Sequence, residues 1–378
     1  MKIEQTTWTA GEGWGPDRPG KGGVEAQLVL LFGSAENFTN EAIICEARAA
    51  YPKAYFLGCS TAGEIRDTVV LDDSLVVTAV EFADTGLHSA AMKVGEVEDS
   101  RKVGERLAQL LPKEELIHVF VLSEGLNING SELVKGLTEH LPEGISVTGG
   151  LSGDGTRFQK TLVFSDTGTA GNVVAAIGFY GKRLKVGYGS LGGWDTFGPE
   201  RLITRSKANV LYELDGKSAL ELYKQYLGEH SKGLPATGLL FPLSLRRDPS
   251  DPGVVRTILS VNEADQSMTF AGDVPEGYYV RLMKSNFDRI IDGAVGAAKT
   301  SYNALGGIAP ELAILISCVG RKMVLQQRIE EELEGVRSVM GPATVMTGFY
   351  SYGEICPFSP KARCELHNQT MTVTTFAE

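Results

Sequence analysis

The chain has 378 residues, 43% of them hydrophobic and 22% charged, which is the composition of an ordinary globular protein. Its 36 Lys and Arg against 47 Asp and Glu give a formal net charge of −11, and the basic residues form no run, which excludes nucleic acid and anionic membrane surfaces as expected partners. The length exceeds what one hydrophobic core usually serves, so two packed domains or subdomains are expected.

The N-terminal residues 1–23 are rich in Gly and Pro and lack the apolar segment of a secretory signal, which predicts an irregular lead-in. The longest apolar stretches, such as 312–319, fall well short of the ~20 residues that span a bilayer, so no membrane insertion is expected. The five cysteines form no C-x-x-C pair. This favours reduced thiols, without disulfides or structural zinc, and a cytoplasmic location.

One pattern occurs three times along the chain: an apolar strand, an amphipathic helix, a second strand with a Gly-rich acidic turn, and a further strand. The first copy consists of 26–34, a helix over 37–50, the segment 54–65 and the strand 74–82. The second consists of 115–125, a helix over 130–140, the segment 145–155, and then TLVFSD and NVVAAIGFYG. The third consists of 311–322, a helix over 326–336, the segment 344–355 and the strand 369–376. Duplicated β-α-β-turn-β units are therefore predicted.

The turns of the first and third units share the pattern G-x-x-S/T-x-G-E-I. The matching pairs are Gly58 with Gly348, Thr61 with Ser351, Gly63 with Gly353, Glu64 with Glu354, and Ile65 with Ile355. Because the match falls at the same place in the same order of elements, duplication is favoured over coincidence. In the middle unit, Gly149, Ser152, Gly153 and Asp154 are interpreted as a one-residue-shorter relative of these turns.

The region between the second and third units is predicted to be rich in strands. Residues 173–205 read as β-structure with a Gly-rich segment, and a helix is predicted over 218–227. The Pro- and Gly-rich segment 231–253 is the best candidate for a boundary or a long loop. After it, VVRTILSV, SMTFAG and GYYVRLM predict antiparallel strands, and a helix with small residues on one face is predicted over 285–304.

The segments GCSTAGEI, GLSGDG, GGWDTFGP, FYSYGEI and ELHNQTMTV, in this order, resemble the FIST family over about 24–376. The resemblance implies an N-terminal FIST domain over 24–230 and a C-terminal FIST domain over 231–378. It implies a bacterial-type input module for signalling that binds small ligands such as amino acids. Some relatives look like haem-dependent nitric oxide sensors, and a eukaryotic relative implies use as a protein-interaction surface. The expected fold is α/β (α+β mixed), with two related subdomains of mixed β-sheets flanked by helices.

The polar groups at the acidic turns are the main candidates for binding a ligand. Glycines let the backbone approach a bound group, and ligands gather at the carboxyl ends of strands that crossover helices connect. The candidates are Cys59, Ser60, Thr61, Glu64, Ser152, Asp154, Tyr350, Ser351, Tyr352 and Glu354. The alternative is that these are structural turns, whose hydroxyls satisfy loop N–H groups and whose Glu residues form buried ion pairs.

Several side chains outside the turns complete the predicted site. Three arginines offer a guanidinium fork for a carboxylate, although each also suits a salt bridge: Arg256, Arg281 and Arg321. Trp194 either stacks on a planar ligand or fills a core. His367, with Asn368 beside it, is the candidate ligand-contacting histidine and would be the axial donor if haem binds. Otherwise no metal and no cofactor are expected.

The predicted function is a sensory module that binds a small polar or amino-acid-like molecule in a cleft between the two halves. A separate signalling protein of the kinase or cyclase type is the expected partner, and a homodimer is compatible with this role but has no sequence signature. A haem-based nitric oxide sensor and an adaptor without a ligand are the alternatives. Catalysis is not expected, because Cys59 and Cys318 have no recognisable His partner and G-C-S-T-A-G is not a nucleophile elbow. SGDGTRF lacks the G-K-S/T ending of a phosphate loop.

Overall fold

The computed structural model of the chain describes residues 1–95, 99–251, 253–357 and 363–378. Three related β-α-β units form the body of the molecule, and a separate antiparallel sheet is inserted into the third unit. The predicted α/β class, with mixed sheets built from duplicated units, is confirmed. Within these residues, every helix is too short or too polar to cross a bilayer.

The first unit occupies residues 2–81. Its elements are β1 (Lys2–Thr9), β2 (Gly13–Gly15), β3 (Leu28–Gly33), α1 (Ala35–Phe38), α2 (Glu41–Ala50), β4 (Tyr55–Ser60), β5 (Glu64–Arg66), β6 (Val69–Leu71) and β7 (Ser74–Glu81). β3 and β4 are parallel, whereas β7 pairs antiparallel with β3 and β1 pairs antiparallel with β7. Alternate residues of β3 enter two different apolar clusters, which explains why this strand is apolar at successive positions.

The second unit repeats this arrangement over residues 86–180. Its elements are β8 (Gly86–Lys93), α3 (Ser100–Leu110), β9 (Leu116–Ser123), α4 (Gly130–Glu139), β10 (Ser146–Leu151), β11 (Val163–Ser165), β12 (Gly168–Ala170) and β13 (Val173–Tyr180). β9 and β10 are parallel, β13 pairs antiparallel with β9, and β8 pairs antiparallel with β13. The pairing order is therefore that of the first unit.

The third unit begins with β14 (Lys185–Leu191), and an inserted sheet with one helix follows it. The insert contains β15 (Trp194–Lys207), β16 (Val210–Leu214), β17 (Lys217–Ser218), α5 (Ala219–Leu227), β18 (Leu243–Arg246), β19 (Val254–Arg256), β20 (Ile258–Asn262), β21 (Ser267–Phe270) and β22 (Tyr279–Ser285). A short 3₁₀ turn at Gly228–Gly233 overlaps the start of the segment 231–253, which is predicted as a boundary or long loop, and a second at Ala236–Leu240 lies within it. The insert has its own apolar core, between α5 and its strands.

The remainder of the third unit follows the insert. It contains α6 (Phe287–Ala304), β23 (Leu312–Cys318), α7 (Val319–Leu325), a 3₁₀ turn (Gln326–Arg328), α8 (Ile329–Met340), β24 (Val345–Ser351), β25 (Gly353–Pro357), β26 (Cys364–His367) and β27 (Met371–Ala377). β23 and β24 are parallel, β27 pairs antiparallel with β23, and β14 pairs antiparallel with β27. The insert therefore separates the outer strand of the third unit from the rest of that unit.

The three units exchange their turn strands in a closed ring. β5 of the first unit pairs with β24 of the third, β25 of the third pairs with β10 of the second, and β11 of the second pairs with β4 of the first. Aromatic contacts also join the units, with ring centroids 4.8 Å apart for Phe32 and Phe349 and 5.2 Å apart for Phe179 and Phe376. The sheet of each unit is therefore completed by a neighbouring unit.

One glycine marks the same register position in each exchange. A Cβ atom on Gly58, Gly149 or Gly348 would lie 2.3, 1.8 or 1.8 Å from a carbonyl oxygen of the adjacent parallel strand. Real Cβ atoms do not approach an oxygen so closely, so a larger residue at any of these positions would push the parallel pair apart. This requirement explains the shared glycine of the three turns.

Candidate functional site

The carboxyl group of Glu64 is buried in the turn between β4 and β5. The Thr61 hydroxyl donates to its Oε1, and the backbone N–H and hydroxyl of Ser74 donate to its Oε2 at 3.1 and 2.7 Å. Burial raises the pKa of Glu64 to about 7, although these hydrogen bonds oppose the shift. The side chain therefore fixes the turn against the start of β7.

Glu354 has the same environment in the turn between β24 and β25. The Ser351 hydroxyl donates to its Oε1 at 2.6 Å, and the N–H and hydroxyl of Thr370 donate to its Oε2 at 3.1 and 2.9 Å. Burial raises the pKa of Glu354 to about 8. The two acidic turns are thus equivalent in hydrogen bonding as well as in sequence.

The two turns lie side by side. The N–H of Ala62 donates to the carbonyl of Tyr350, and the N–H of Tyr350 donates to the carbonyl of Gly63, both at 2.8 Å. The middle unit joins them, because the N–H of Gly153 donates to the carbonyl of Ser60 at 2.9 Å. The place where the three turns meet is called the seam below. Its candidate side chains are all buried: Cys59, Ser60, Thr61, Glu64, Ser152, Asp154, Tyr350, Ser351, Tyr352 and Glu354. The predicted juxtaposition is present as an enclosed seam, and ligand binding there stays a prediction.

The turn of the middle unit differs from the other two after Ser152. Gly149 and Ser152 have the same spacing as Gly348 and Ser351, and a longer loop then leads to β11. By strand register, Val163 occupies the place of the two glutamates, and the Ser152 hydroxyl has no hydrogen-bond partner among the described residues. Asp154 takes another role, since its carboxylate accepts the N–H groups of residues 158–160 at 2.9 Å and the hydroxyl of Tyr352.

This difference predicts opposite responses to the same substitution. Ser152→Ala removes a buried hydroxyl that makes no hydrogen bond, so we expect the free energy of unfolding to stay constant or rise. Ser351→Ala removes a donor to the buried Glu354 and should lower it by about 1–3 kcal/mol. Urea denaturation of both variants measures the difference. Equal losses would show that Ser152 also has a partner.

Trp194, Arg321 and Arg281 all contact the protein itself. The indole N–H of Trp194 donates to the carbonyl of Gln369 at 2.9 Å, and the ring packs among apolar side chains. Arg321 is fully buried and forms an ion pair with Glu332 at 2.7 Å. Arg281 donates to the carbonyl of Gly198 at 3.2 Å. Any ligand role for these three residues would be additional to these structural contacts.

His367 and Asn368 lie at the junction of β26 and β27. The Nε2 atom of His367 is 2.9 Å from the carbonyl oxygen of Cys356, and burial lowers the pKa of this histidine to about 4. The Asn368 amide donates to the carbonyl of Tyr352 at 3.3 Å. These surroundings do not fit haem, because the imidazole is enclosed between strands and its Nε2 atom is engaged.

A cavity of about 190 Å³ lies between α4 of the second unit and the inserted sheet. One wall is formed by α4, with Ser131, Val134 and Lys135, and the opposite wall by the insert, including Arg256 and Asp273. Residues 363–366, at and just before β26, form the remaining side. Two larger depressions, of about 330 and 410 Å³, adjoin Tyr51, but their lining residues include no buried charged side chain.

Arg256 is 5% exposed, and its side chain lines this cavity. Nε donates to the carbonyl of Asp273 and Nη1 to the carbonyl of Leu366, both at 3.0 Å, whereas Nη2 is 3.4 Å from the Ser131 hydroxyl. Among the described residues, no carboxylate oxygen lies within 4.0 Å of the guanidinium. Burial lowers its pKa, and Glu365 and Asp273 oppose this shift from a greater distance. The cavity therefore contains a buried cation without a direct counterion.

Other charged side chains of both signs line the same cavity: Lys135, Asp251, Asp273, Arg363 and Glu365. The sequence did not single these out, because they lie in a helix, in loops and on a strand without a motif. The Nζ atom of Lys135 is 2.9 Å from Asp273. Such a lining can accommodate a small molecule that carries a carboxylate together with a positive group. Of the predicted site residues, Arg256 lines the cavity, and His367 follows its Leu366 wall.

Comparison with known proteins identifies the family. The sequence matches the FIST N domain over residues 27–217 and the FIST C domain over residues 219–357. An uncharacterized protein of Methanocaldococcus jannaschii is 23% identical over 326 residues, a match that covers 75% of this chain. The chain spans about 58% of the length of that curated relative.

A solved structure, that of a cyanuric acid hydrolase from A. caulinodans, covers 100% of this chain and 98% of its own, at 9% identity and a TM-score of 0.38. This similarity in shape is too low to inform function. The two family matches, in contrast, together cover most of the sequence and follow one another in the expected order. The chain belongs to the FIST family of sensory signal-transduction domains.

Proposed function

We propose that this protein binds a small polar, amino-acid-like ligand in the cavity between α4 and the inserted sheet. The observation that carries the proposal is the guanidinium of Arg256, which is buried at the cavity and has no direct counterion within the part of the chain that the structure describes. Taking a charge out of water is costly unless a partner compensates it. A ligand carboxylate would supply that partner and would accept a charge-assisted hydrogen bond from Nη2.

The other charges of the cavity suit the remainder of such a ligand. Asp251, Asp273 and Glu365 offer carboxylates to an ammonium group, and Lys135 provides a second cation near Arg256. The volume of about 190 Å³ restricts the ligand to a small molecule. Recognition by charges of both signs would discriminate against apolar molecules of the same size, because these would leave buried polar groups unpaired.

The position of the cavity suggests how binding becomes a signal. Its walls come from α4, within the FIST N match, and from strands within the FIST C match. A ligand that contacts both walls favours the arrangement that it binds better, in proportion to its differential affinity. We propose that this change is recognised by a separate signalling protein of the kinase or cyclase type.

The two candidate nucleophiles of the chain favour a binding role over a catalytic one. The Cys59 and Cys318 thiols are buried, and burial raises the pKa of each above its ordinary value. A thiol with a raised pKa is a poor nucleophile near neutral pH. We therefore propose a sensor and not an enzyme.

The proposal is tested by a thermal-shift screen of the wild-type chain against the twenty amino acids, acetate and glutarate, followed by calorimetry on each compound that raises the midpoint. A one-site ligand present at 100 times its Kd stabilises the folded state by about 2.7 kcal/mol. Arg256→Met should weaken any carboxylate ligand at least ~10-fold, because a charge-assisted hydrogen bond is lost.

Arg281→Met is the matched control, because Arg281 lies in the same inserted sheet but does not line the cavity. The variant Arg281→Met should bind each ligand found in the screen with the same Kd as the wild type. A ligand that binds Arg256→Met with unchanged affinity would place the site elsewhere. A screen in which no compound moves the midpoint would instead favour an adaptor without a small ligand.

A further inference from the structure

Asp273 connects the inserted sheet to α4. It lies in the loop between β21 and β22, and its Oδ1 accepts a hydrogen bond from the Asn129 side chain at 2.7 Å. Its Oδ2 accepts one from Lys135 at 2.9 Å, and its N–H donates to the Ser131 hydroxyl at 3.3 Å. All three partners belong to α4 or to its N-cap residue. One loop residue of the insert thus holds the first turns of a helix that belongs to the second unit.

The same residue is connected to two of the three cationic side chains that line the cavity, Lys135 and Arg256. Its carboxylate pairs with Lys135, and its carbonyl oxygen accepts the Nε hydrogen of Arg256 at 3.0 Å. The Ser131 hydroxyl lies between the Asp273 N–H and Nη2 of Arg256, at 3.3 and 3.4 Å. Asp273 therefore lies where an anion bound by the cavity would compete with it.

The contact of Asp273 with α4 is called the tie below, and its ion pair with Lys135 is weak enough for a ligand to displace. The side chains of Lys135 and Asp273 are 40% and 17% exposed, and a partly exposed ion pair is weak because water screens it. A ligand carboxylate that contacts both Lys135 and Arg256 gains two cationic partners, whereas the Asp273 carboxylate directly contacts one. Lys135 also pairs with Glu132, at 2.5 Å. Displacing Asp273 from Lys135 would free one of the direct contacts between α4 and the insert.

We propose that Asp273 is an internal counterion that ties the insert to α4 in the ligand-free protein, and that an anionic ligand group displaces it from Lys135 and loosens this tie. Displacement by a ligand rests on the proposed function. The tie in the ligand-free protein does not. Because coupling between binding and a conformational contact is reciprocal, weakening the tie must strengthen anion binding.

The tie is tested first without ligand, by hydrogen–deuterium exchange of the full chain. Asp273→Asn keeps the size of the side chain and removes its charge, so we expect faster exchange over 129–140 and over 271–279. Asp215→Asn is the matched control, because Asp215 lies in the insert and forms a partly exposed pair with Arg201 at 3.0 Å, away from α4. Unchanged exchange over 129–140 in Asp273→Asn would overturn the tie.

The displacement is tested with glutarate as the probe, at constant ionic strength. We expect glutarate to accelerate exchange over 129–140 in the wild type, and Asp273→Asn to bind glutarate several-fold more tightly. Equal or weaker binding by Asp273→Asn overturns the internal counterion. An equal Kd for the wild type and Arg256→Met overturns the proposed function instead. If neither the wild type nor Asp273→Asn binds glutarate, the displacement is overturned, and the amino-acid screen decides the proposed function.

Discussion

Replacing Glu332 by Gln is expected to lower the free energy of unfolding by about 3–5 kcal/mol. The Glu332 carboxylate is fully buried on α8 and accepts hydrogen bonds from Nε and Nη2 of Arg321 at 3.1 and 2.7 Å. The Ser317 and Tyr350 hydroxyls donate to its other oxygen at 3.1 and 2.7 Å. Glu332→Gln keeps the shape but leaves the Arg321 charge buried and uncompensated. Urea denaturation followed by circular dichroism measures the loss.

The neighbouring Glu331 provides the control. It lies on the same helix and pairs with Arg328 at 2.7 Å, but its side chain is 44% exposed. Glu331→Gln should cost no more than about 1 kcal/mol, because water screens the pair. The double variant Arg321→Met, Glu332→Leu should recover most of the stability, since apolar residues of similar volume replace both charges. A loss for Glu332→Gln as small as that for Glu331→Gln would contradict this account.

Arg321 and Arg256 differ in their contacts, and the difference distinguishes a structural arginine from a candidate binding residue. Arg321 donates to Glu332 and to the carbonyls of Gly192 and Ile290, so its guanidinium is saturated by the protein. Arg256 has backbone partners and lines a cavity, and no carboxylate of residues 1–95, 99–251, 253–357 or 363–378 contacts it. In the sequence Arg321 is the more suggestive of the two, because it follows an apolar strand at its end, where a guanidinium looks the same whether or not a buried carboxylate faces it. Only the packing of α8 against β23 and β24 distinguishes them.

The local elements could be predicted because their signals are local. The strand predicted over 26–34 is β3 (Leu28–Gly33), and the helix predicted over 218–227 is Ala219–Leu227 with the Ser218 hydroxyl as its cap. Residues 1–23, expected to be irregular, contain the strand β1, because this segment pairs with β7, which is distant in sequence. The helix predicted over 326–336 begins later, at Ile329, because a 3₁₀ turn precedes it. Apolar periodicity and capping residues determine such boundaries without reference to the remainder of the chain.

The pairing between units could not be predicted, because it depends on contacts distant in sequence. Nothing in the sequence G-E-I shows that β5 pairs with β24 of another unit and not with its own β4. The middle turn shows the same limit. The sequence pattern aligns Asp154 with the glutamates, whereas strand register gives their place to Val163, which follows the longer loop after Ser152. The cavity at Arg256 depends on the position of the insert against α4, which no local pattern encodes.

The buried glutamates of the turns predict that stability falls as the pH rises from 6.5 to 8.5. Burial raises the pKa of Glu64 to about 7 and of Glu354 to about 8, from 4.5. An acid whose folded-state pKa is raised stabilises the fold below its unfolded pKa, and this contribution is lost as the pH rises through the folded value. Glu354 is thus linked to about 5 kcal/mol of stability in all, of which about 2 kcal/mol is lost between pH 6.5 and 8.

The window above pH 6.5 isolates this effect from two histidines of opposite sign. Burial lowers the pKa of His118 to about 3 and of His367 to about 4, so their contribution is lost as the pH falls below 6.5. Glu354→Gln mimics the neutral acid and should flatten the pH dependence between 6.5 and 8.5, whereas the exposed Glu334→Gln should leave it unchanged. Urea denaturation at intervals across this range measures both. A wild type equally stable at pH 6.5 and 8.5 would mean that the seam accommodates an ionised Glu354.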